Sequence, residues 1–212
     1  MKDVSDIGRP KSNIYATKGV GSGEAMNEDP LGFDWPDTKI RLARTTEAIQ
    51  IIKKLWNEGK KRENGFVDFK GKYFSIRNAK LYTPPPSDNI PPYMAAVGPE
   101  AIKTAAKYCD GLTTVTKADQ SKEILDLFNK SAKDVGKDPF LLEKIAIPKI
   151  CYSTYYDKAF KYIEFWRAAL LEDVFNTEIS DPRQLEEKAK KEVSDEQLKK
   201  SSPIITSIED SI

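Results

Sequence analysis

The chain has 212 residues, and its 34 Lys plus Arg against 33 Asp plus Glu give a formal net charge of +1. This balance argues against a nucleic-acid partner held by a large basic field, and no apolar run approaches the roughly 20 residues of a membrane helix. The absence of histidine excludes Ser-His or Cys-His nucleophiles and histidine-metal sites, and two cysteines are too few for a disulfide scaffold. We therefore expect a cytoplasmic protein that binds neither nucleic acid nor membrane, and we predict no metal site.

The first predicted elements are a short strand and a long helix. Residues 13–17 form a strand candidate that runs into the glycine-rich turn 19–23. Residues 37–58 carry apolar side chains on one helical face, and Asp37 is suited to cap that helix. A strand that ends in glycines and leads to a helix is the usual unit of an alternating α/β pattern.

A β-hairpin is predicted to interrupt this pattern. Its two strands are residues 66–70 and 72–76, joined through a glycine. The alternation then resumes with a short buried strand over 93–97. A helix follows with Pro99 at its first position, and Gly111 ends it.

The second half of the chain continues with strand and helix candidates. Residues 112–115 predict a strand and residues 121–135 a helix. Residues 146–155 are apolar and rich in strand-forming side chains, and residues 157–175 are helical and aromatic. Residues 182–201 are highly charged and helical, with few apolar anchors.

These units predict an α/β fold with parallel strands, which is either a doubly wound sheet or a barrel. About four strands are of the barrel type, whereas a complete eight-stranded barrel needs roughly 250 residues. A barrel would therefore be incomplete in this chain. We interpret residues 1–212 as one partial barrel domain, with the hairpin 66–76 as an excursion and 182–212 as a charged helical tail.

The glycine turn is the first candidate site. Glycines after a strand allow a ligand to approach the backbone, but the spacing is G-x-G-x-G-E and not the dinucleotide G-x-G-x-x-G. The carboxylate of Glu24 would repel a pyrophosphate, so Glu24 and Asn27 look like polar groups at the mouth of a strand. From spacing alone, a plain turn and a ligand loop stay equally open.

The second candidate site follows the strand 93–97. Small residues there lead into a helix start, where free amides and the helix dipole favour an anion. Tight packing of strand on helix is the alternative, because Glu100 could itself satisfy the dipole. A third candidate is the run 113–117, whose hydroxyls and Lys117 could hold a substrate anion or simply be solvated.

Other polar and aromatic groups favour structural roles. Arg41, Arg44 and Glu47 stand at helical spacings that predict surface or interhelix ion pairs. Trp35 and the aromatic residues of 152–166 are typical of a core or an oligomer face rather than of a cofactor site.

Taken in order, several segments resemble one family. Residues 19–28 strongly resemble the signature of luciferase-like oxidoreductases that use the deazaflavin coenzyme F420, closest to the branch of deazaflavin-dependent glucose-6-phosphate dehydrogenases. The similarity covers roughly residues 13 to 205 and continues through 41–49, 67–74, 79–82, 92–99 and 110–111.

This resemblance implies a TIM barrel with the deazaflavin at the carboxyl ends of the strands. Glu24 would be catalytic and handle a proton, and Thr114 and Lys117 would face the substrate. Flavin mononucleotide is the less favoured cofactor. The implied cofactor-binding residues are Gly21, Ser22, Gly23, Asn27, Ala95, Ala96, Val97 and Gly98.

The chain also departs from the family. The family has about 100 further residues before the glycine turn, forming the first three barrel strands, and a final strand and helix after residue 212. The sugar-phosphate branch has a Lys-His pair where this chain has Asn176 and Thr177, which weakens glucose 6-phosphate as the substrate, and a second glycine where it has Val97.

The expected function is hydride transfer between a deazaflavin and an alcohol, a sugar phosphate or a similar small substrate. The expected partners are that substrate and either a second copy or a complementing chain. The alternatives are a truncated or split chain that is not catalytic alone, a non-enzymatic binding module, and a flavin-dependent monooxygenase of the same superfamily.

Overall fold

A computed structural model of the chain describes residues 18–61, 64–83, 90–115, 118–172, 174, 179 and 181–207. Within them the strands are β1 Lys18–Val20, β2 Phe66–Lys70, β3 Ser75–Lys80, β4 Pro92–Ala95, β5 Gly111–Val115, β6 Glu143–Ile147, β7 Cys151–Tyr152 and β8 Ile204–Ile205. The helices are α1 Ala25–Glu28, α2 Thr38–Gly59, α3 Pro99–Tyr108, α4 Ala118–Asp134, α5 Tyr156–Glu164, α6 Pro182–Glu192 and α7 Asp195–Ser201.

The central sheet is parallel throughout the part of the chain that the structure describes. Its four strands follow the order β1-β4-β5-β6, which confirms the predicted α/β class. Gly19 and Val20, predicted to belong to the glycine turn, are part of β1. Such strands need crossover connections, and α2, α3 and α4 lie between them in the sequence. The strand predicted over 13–17 lies outside the described residues.

One face of the sheet packs against the helices. Met94 and Leu112 are paired in register and fully buried, and they pack in one cluster with Ile49, Ile102 and Phe128. Because successive side chains alternate between faces, residues one step away in each strand point to the opposite side. That side is open at Val115, Ile145 and Ile147, which are 45%, 37% and 48% exposed.

Some predicted boundaries were wrong. The hairpin forms, but β3 begins three residues later than predicted, at Ser75, and continues to Lys80. Residues 146–155 do not form one strand. Their first residues belong to β6, which begins at Glu143, and β7 pairs instead with the distant β8 in a separate parallel pair. The helix predicted over 157–175 is α5, which ends at Glu164.

A carboxylate on α2 holds the hairpin. Glu47 Oε1 accepts the amide of Lys72 at 2.8 Å, and Oε2 accepts the amides of Tyr73 and Phe74, each at 2.9 Å. Burial opposes ionisation of Glu47, but these three amides and the charge of Lys72 outweigh it and lower the pKa of the carboxyl. Glu47, predicted to join an ion pair, is therefore an anchor for the hairpin turn.

The charged tail buries a row of apolar side chains, which its highly charged composition does not suggest. Leu185, Ala189 and Val193 follow one another at helical spacing on and just after α6, and all are buried with Leu171. A capping box at Ser194 starts α7, in which Ser194 and Gln197 bond each other's backbone amides. Residues 182–201 are mostly helical as predicted, but Ile204 and Ile205 of the predicted helical tail form β8, and the single-domain interpretation stays a prediction.

Candidate functional site at the carboxyl edge of the sheet

The carboxyl ends of the four strands meet at one edge of the sheet. Register pairs Val20 with Met94, and it pairs Ala95 with Thr113 and Thr113 with Ile145. Gly21 follows directly, and a Cβ placed on it would lie 4.0 Å from the Cβ of Ala95. The glycine turn and the end of β4 are therefore neighbours, as the sequence predicts for parallel strands. Among the described residues, the small side chain of Ala95 lies beside Gly21, and the hydroxyl of Thr45 donates to the carbonyl of Gly21 at 3.5 Å.

A cradle of backbone groups follows β4. The amide of Ala96 still bonds the carbonyl of Thr113 at 3.0 Å, but those of Val97 and Gly98 donate to no acceptor among the described residues. Gly98 has φ −78° and ψ 153° and precedes α3, whose N-terminus has no side-chain cap. A Cβ on Gly98 would meet nothing within 4 Å. This open helix start can accept an anionic group.

Glu100 does not fill the cradle by capping α3. Its carboxylate pairs with Lys103 at 2.7 Å on the helix surface, and no side-chain cap reaches the helix start. The backbone amides at the start of this ten-residue helix are therefore not capped by a side chain, while the carboxylate of Glu100 in the first turn interacts with the helix dipole.

Glu24 and Asn27 form a polar pair at the end of the glycine turn. Asn27 Nδ2 donates to Glu24 Oε2 at 2.8 Å, and both residues are exposed. The pairing leaves Glu24 Oε1 without a donor in the described part of the chain. Ser22, half-buried between Gly21 and Gly23, lies on the same turn.

The structure places Thr114 away from this group. Thr114 is 2% exposed and lies two residues after Leu112, on the face that packs against the helices. Its hydroxyl has no hydrogen-bond partner within the described ranges. Thr113 instead shares the open face with Ala95. Lys117, predicted to face the substrate, lies outside the described residues.

The opposite edge of the sheet carries polar contacts that the sequence analysis did not find. Tyr93 donates its hydroxyl hydrogen to Glu143, two strands away, across Gly111. Burial first, and then the hydrogen bond and charge of Glu143, raise the pKa of Tyr93 to about 12. Lys53 pairs with Asp110 at 3.2 Å at the same edge. No local spacing could reveal these pairs, because strand register brings Tyr93 to Glu143 and the packing of α2 brings Lys53 to Asp110.

The parallel sheet with its helices defines an α/β protein of the barrel type, a fold in which ligands generally bind at the carboxyl ends of the strands. Residues 16–211 match the family model of luciferase-like monooxygenases, and the chain belongs to that family. The predicted family resemblance is confirmed.

Two relatives are similar along most of this chain. The F420-dependent glucose-6-phosphate dehydrogenase of Mycolicibacterium gilvum (strain PYR-GCK) is 33% identical over 187 residues, 86% of this chain and 53% of that protein. The solved structure of an F420-dependent secondary alcohol dehydrogenase in complex with an F420-acetone adduct is 33% identical with a TM-score of 0.82, covering 92% of this chain and 57% of that one. The chain spans about half the length of the curated relatives it matches.

A more distant structure supports the fold alone. The coenzyme F420-dependent tetrahydromethanopterin reductase of Methanopyrus kandleri is 19% identical with a TM-score of 0.60, covering 73% of this chain and 46% of that one. Among the described helices, none combines the length and the apolar character that crossing a bilayer requires.

Proposed function

We propose that this chain carries part of the active site of a coenzyme F420-dependent oxidoreductase acting on a small alcohol or a similar substrate. The main observation behind this proposal is the backbone cradle formed by the amides of Val97 and Gly98. It lies beside the glycine turn, which leads directly into Glu24. Its support is the likeness to a structure that contains an F420-acetone adduct.

The cradle fits an anionic cofactor tail. The amides of Val97 and Gly98, unengaged by the described residues, and the start of α3 offer hydrogen-bond donors and a favourable dipole, and no described side chain fills the space at Gly98. Ala95 and Gly21 present little side-chain bulk beside it, so Gly21, Ser22, Gly23, Ala95, Ala96, Val97 and Gly98 would hold the group. When bound, the deazaflavin supplies a hydride acceptor and donor.

Glu24 would move the proton. Asn27 holds Oε2 in place, so Oε1 is the oxygen that takes the hydroxyl proton of an alcohol during its oxidation, and returns it in the reverse direction. Thr113, on the open face beside Ala95, is better placed than Thr114 to contact the substrate.

An alcohol is favoured over a sugar phosphate. The sugar-phosphate branch has a Lys-His pair where this chain carries Asn176 and Thr177, so two groups suited to a phosphate are missing. The likeness to a secondary alcohol dehydrogenase supports the same choice.

The decisive experiment is a titration of the 212-residue chain with the deazaflavin, followed by its fluorescence, with flavin mononucleotide as the matched control. We expect micromolar binding of the deazaflavin only. Preference for flavin mononucleotide would favour a flavin-dependent monooxygenase instead, and binding of neither would contradict a working cofactor site in this chain.

The role of Glu24 has a separate test. Glu24→Gln keeps the shape and the acceptor for Asn27 but cannot take a proton, so turnover should fall by about 10²–10⁴-fold while deazaflavin affinity stays within a factor of about two. Equal turnover of the two forms would remove Glu24 from this role.

We further propose that additional polypeptide covers the open face at Val115, Ile145 and Ile147, either a second copy or a complementing chain, in the cytoplasm. Exposed apolar sheet surface with free strand edges favours association. Light scattering after size exclusion tests this, and a monodisperse monomer would contradict it.

A further inference from the structure

A buried cation lies behind the glycine turn. Arg41 is 8% exposed, and its guanidinium carbon lies 4.0 Å from the centre of the Trp35 ring. It donates to the carbonyl of Pro36 at 2.7 Å and to Thr38 Oγ1 at 3.2 Å. These two hydrogen bonds hold the planar group over the ring, a geometry that a lysine ammonium cannot reproduce.

The Trp35 ring in turn lies close to the glycine turn. Gly23 has φ +87°, and a Cβ on it would lie 3.2 Å from Cζ3 of Trp35 and collide with the carboxylate of Glu28. The position therefore demands glycine both for its backbone conformation and for the close approach of its neighbours. Arg41, Trp35 and Gly23 thus form a continuous stack from α2 to the turn.

The stack can influence the position of Glu24, because Gly23 is the residue directly before Glu24. The backbone of Gly23 sets the direction in which the chain enters α1, where the carbonyl of Glu24 accepts the amides of Asn27 and Glu28, each at 3.1 Å. That short helix places Asn27 Nδ2 within reach of Glu24 Oε2.

Burial lowers the pKa of Arg41, while the charges of Glu28 and Asp37 raise it, so acidic groups flank the stack on both sides. Together these contacts span the whole segment from the glycine turn to the start of α2.

We propose that Arg41 is a positioning residue. By stacking on Trp35 it holds the ring against Gly23 and so keeps the Glu24–Asn27 pair in one orientation at the carboxyl edge of the sheet. The catalytic part of this inference rests on the proposed function, whereas the ordering of the turn does not.

The first test is hydrogen exchange measured by mass spectrometry on the full chain and on Arg41→Lys. We expect exchange to become several-fold faster in peptides covering residues 21–28 and to stay unchanged in peptides covering 93–115. Arg44→Lys, on the exposed side of the same helix, is the matched control and should behave as the parent. Trp35→Phe removes the indole that Arg41 stacks on, so it should accelerate exchange over the same residues 21–28.

Either of two results would overturn the proposal. One is unchanged exchange over residues 21–28, and the other is equal acceleration over 93–115, which would make Arg41 a general stabiliser. The side-chain amide resonances of Asn27 provide a second readout, because loss of its bond to Glu24 should shift them in Arg41→Lys and not in Arg44→Lys.

The second test separates this inference from the proposed function. If the parent chain binds no deazaflavin, the proposed function fails while the exchange result still decides the role of Arg41. If the chain turns over an alcohol, Arg41→Lys should lower kcat several-fold and leave KM nearly unchanged, and it should add no further loss to Glu24→Gln. Equal losses in both backgrounds would contradict positioning through Glu24.

Discussion

The two edges of the parallel sheet are built in opposite ways. At the amino edge, Tyr93 spans Gly111 to reach Glu143, and Lys53 pairs with Asp110. At the carboxyl edge β1 is followed by Gly21 and β4 ends at Ala95, and the amides of Val97 and Gly98 are engaged by no described group. In parallel α/β folds one edge can be closed for stability while the other stays open for a ligand, and this chain separates the two tasks along strands of three to five residues.

The largest expected effect comes from adding one methyl group at each edge. Gly111→Ala places a Cβ 2.8 Å from ring carbons of Tyr93 and 2.9 Å from the carbonyl oxygen of Glu143, so the free energy of unfolding should fall by about 2–3 kcal/mol. Gly98→Ala meets nothing within 4 Å and should change it by less than about 0.5 kcal/mol. Urea unfolding measures the change in the free energy of unfolding for each variant. Equal losses in the two variants would contradict the difference between the closed and the open edge.

Tyr93→Phe tests the closed edge with less disturbance. Loss of the hydrogen bond to Glu143 should lower the free energy of unfolding by about 1–2 kcal/mol near neutral pH. Because the pKa of Tyr93 is raised to about 12 from 10.0, its contribution is complete below about pH 10 and is lost as pH rises towards 12.

The difference between the parent and Tyr93→Phe should therefore shrink over this pH range. Tyr162→Phe, at an exposed tyrosine, is the control and should show no such change. A difference that stays constant from pH 9 to about 12 would mean that the Glu143 contact does not hold the proton on Tyr93.

Two neighbouring threonines test which face of β5 contacts the substrate at the open edge. Thr114→Val removes a buried hydroxyl without a partner among the described residues, so stability should stay equal or rise by up to about 1 kcal/mol, with no change in deazaflavin binding. Thr113→Val, on the open face, should leave stability within about 0.5 kcal/mol and weaken substrate binding. The opposite pair of results would support the prediction that Thr114 contacts the substrate.

The smallest expected effect is at Lys53. Its ion pair with Asp110 is partly exposed, so Lys53→Met should cost less than about 1 kcal/mol, and the loss should diminish in high salt. Lys103→Met, which breaks the more exposed pair with Glu100, is the control and should have no measurable effect. A loss well above this range would show that the closed edge depends on charge more than on Tyr93.

Helix caps, prolines and glycines correctly predicted those helices and turns whose boundaries depend on residues nearby in the sequence. The helix over 37–58 appears as Thr38–Gly59, with Asp37 accepting the amide of Ile40 at 3.0 Å, and Pro99 begins α3 as predicted. Caps, prolines and glycines act within one helical turn, so sequence spacing is enough to find them. The glycine turn and the small residues after β4 were found for the same reason.

Pairings between distant segments were not predictable in this way. β7 finds its partner β8 more than 50 residues later, which a run of apolar residues over 146–155 does not reveal. Glu47 carries the spacing of an ion-pair member, yet its partners are the amides of a hairpin turn about 25 residues away. Hydrogen bonds to the backbone leave no mark on residue type, so patterns of charge predict them poorly.

By itself the sequence determined the α/β alternation, the family, and the small residues that leave the carboxyl edge open, because each of these depends on side-chain types in short order along the chain. Only the tertiary structure decided that Thr113 and not Thr114 shares the face of Ala95, that Tyr93 and Glu143 close the other edge, and that Arg41 lies behind Gly23. For the two strand examples the physical reason is register: a shift of one residue sends every side chain to the other face, and no local preference specifies it. The place of Arg41 depends instead on how α2 packs behind the turn.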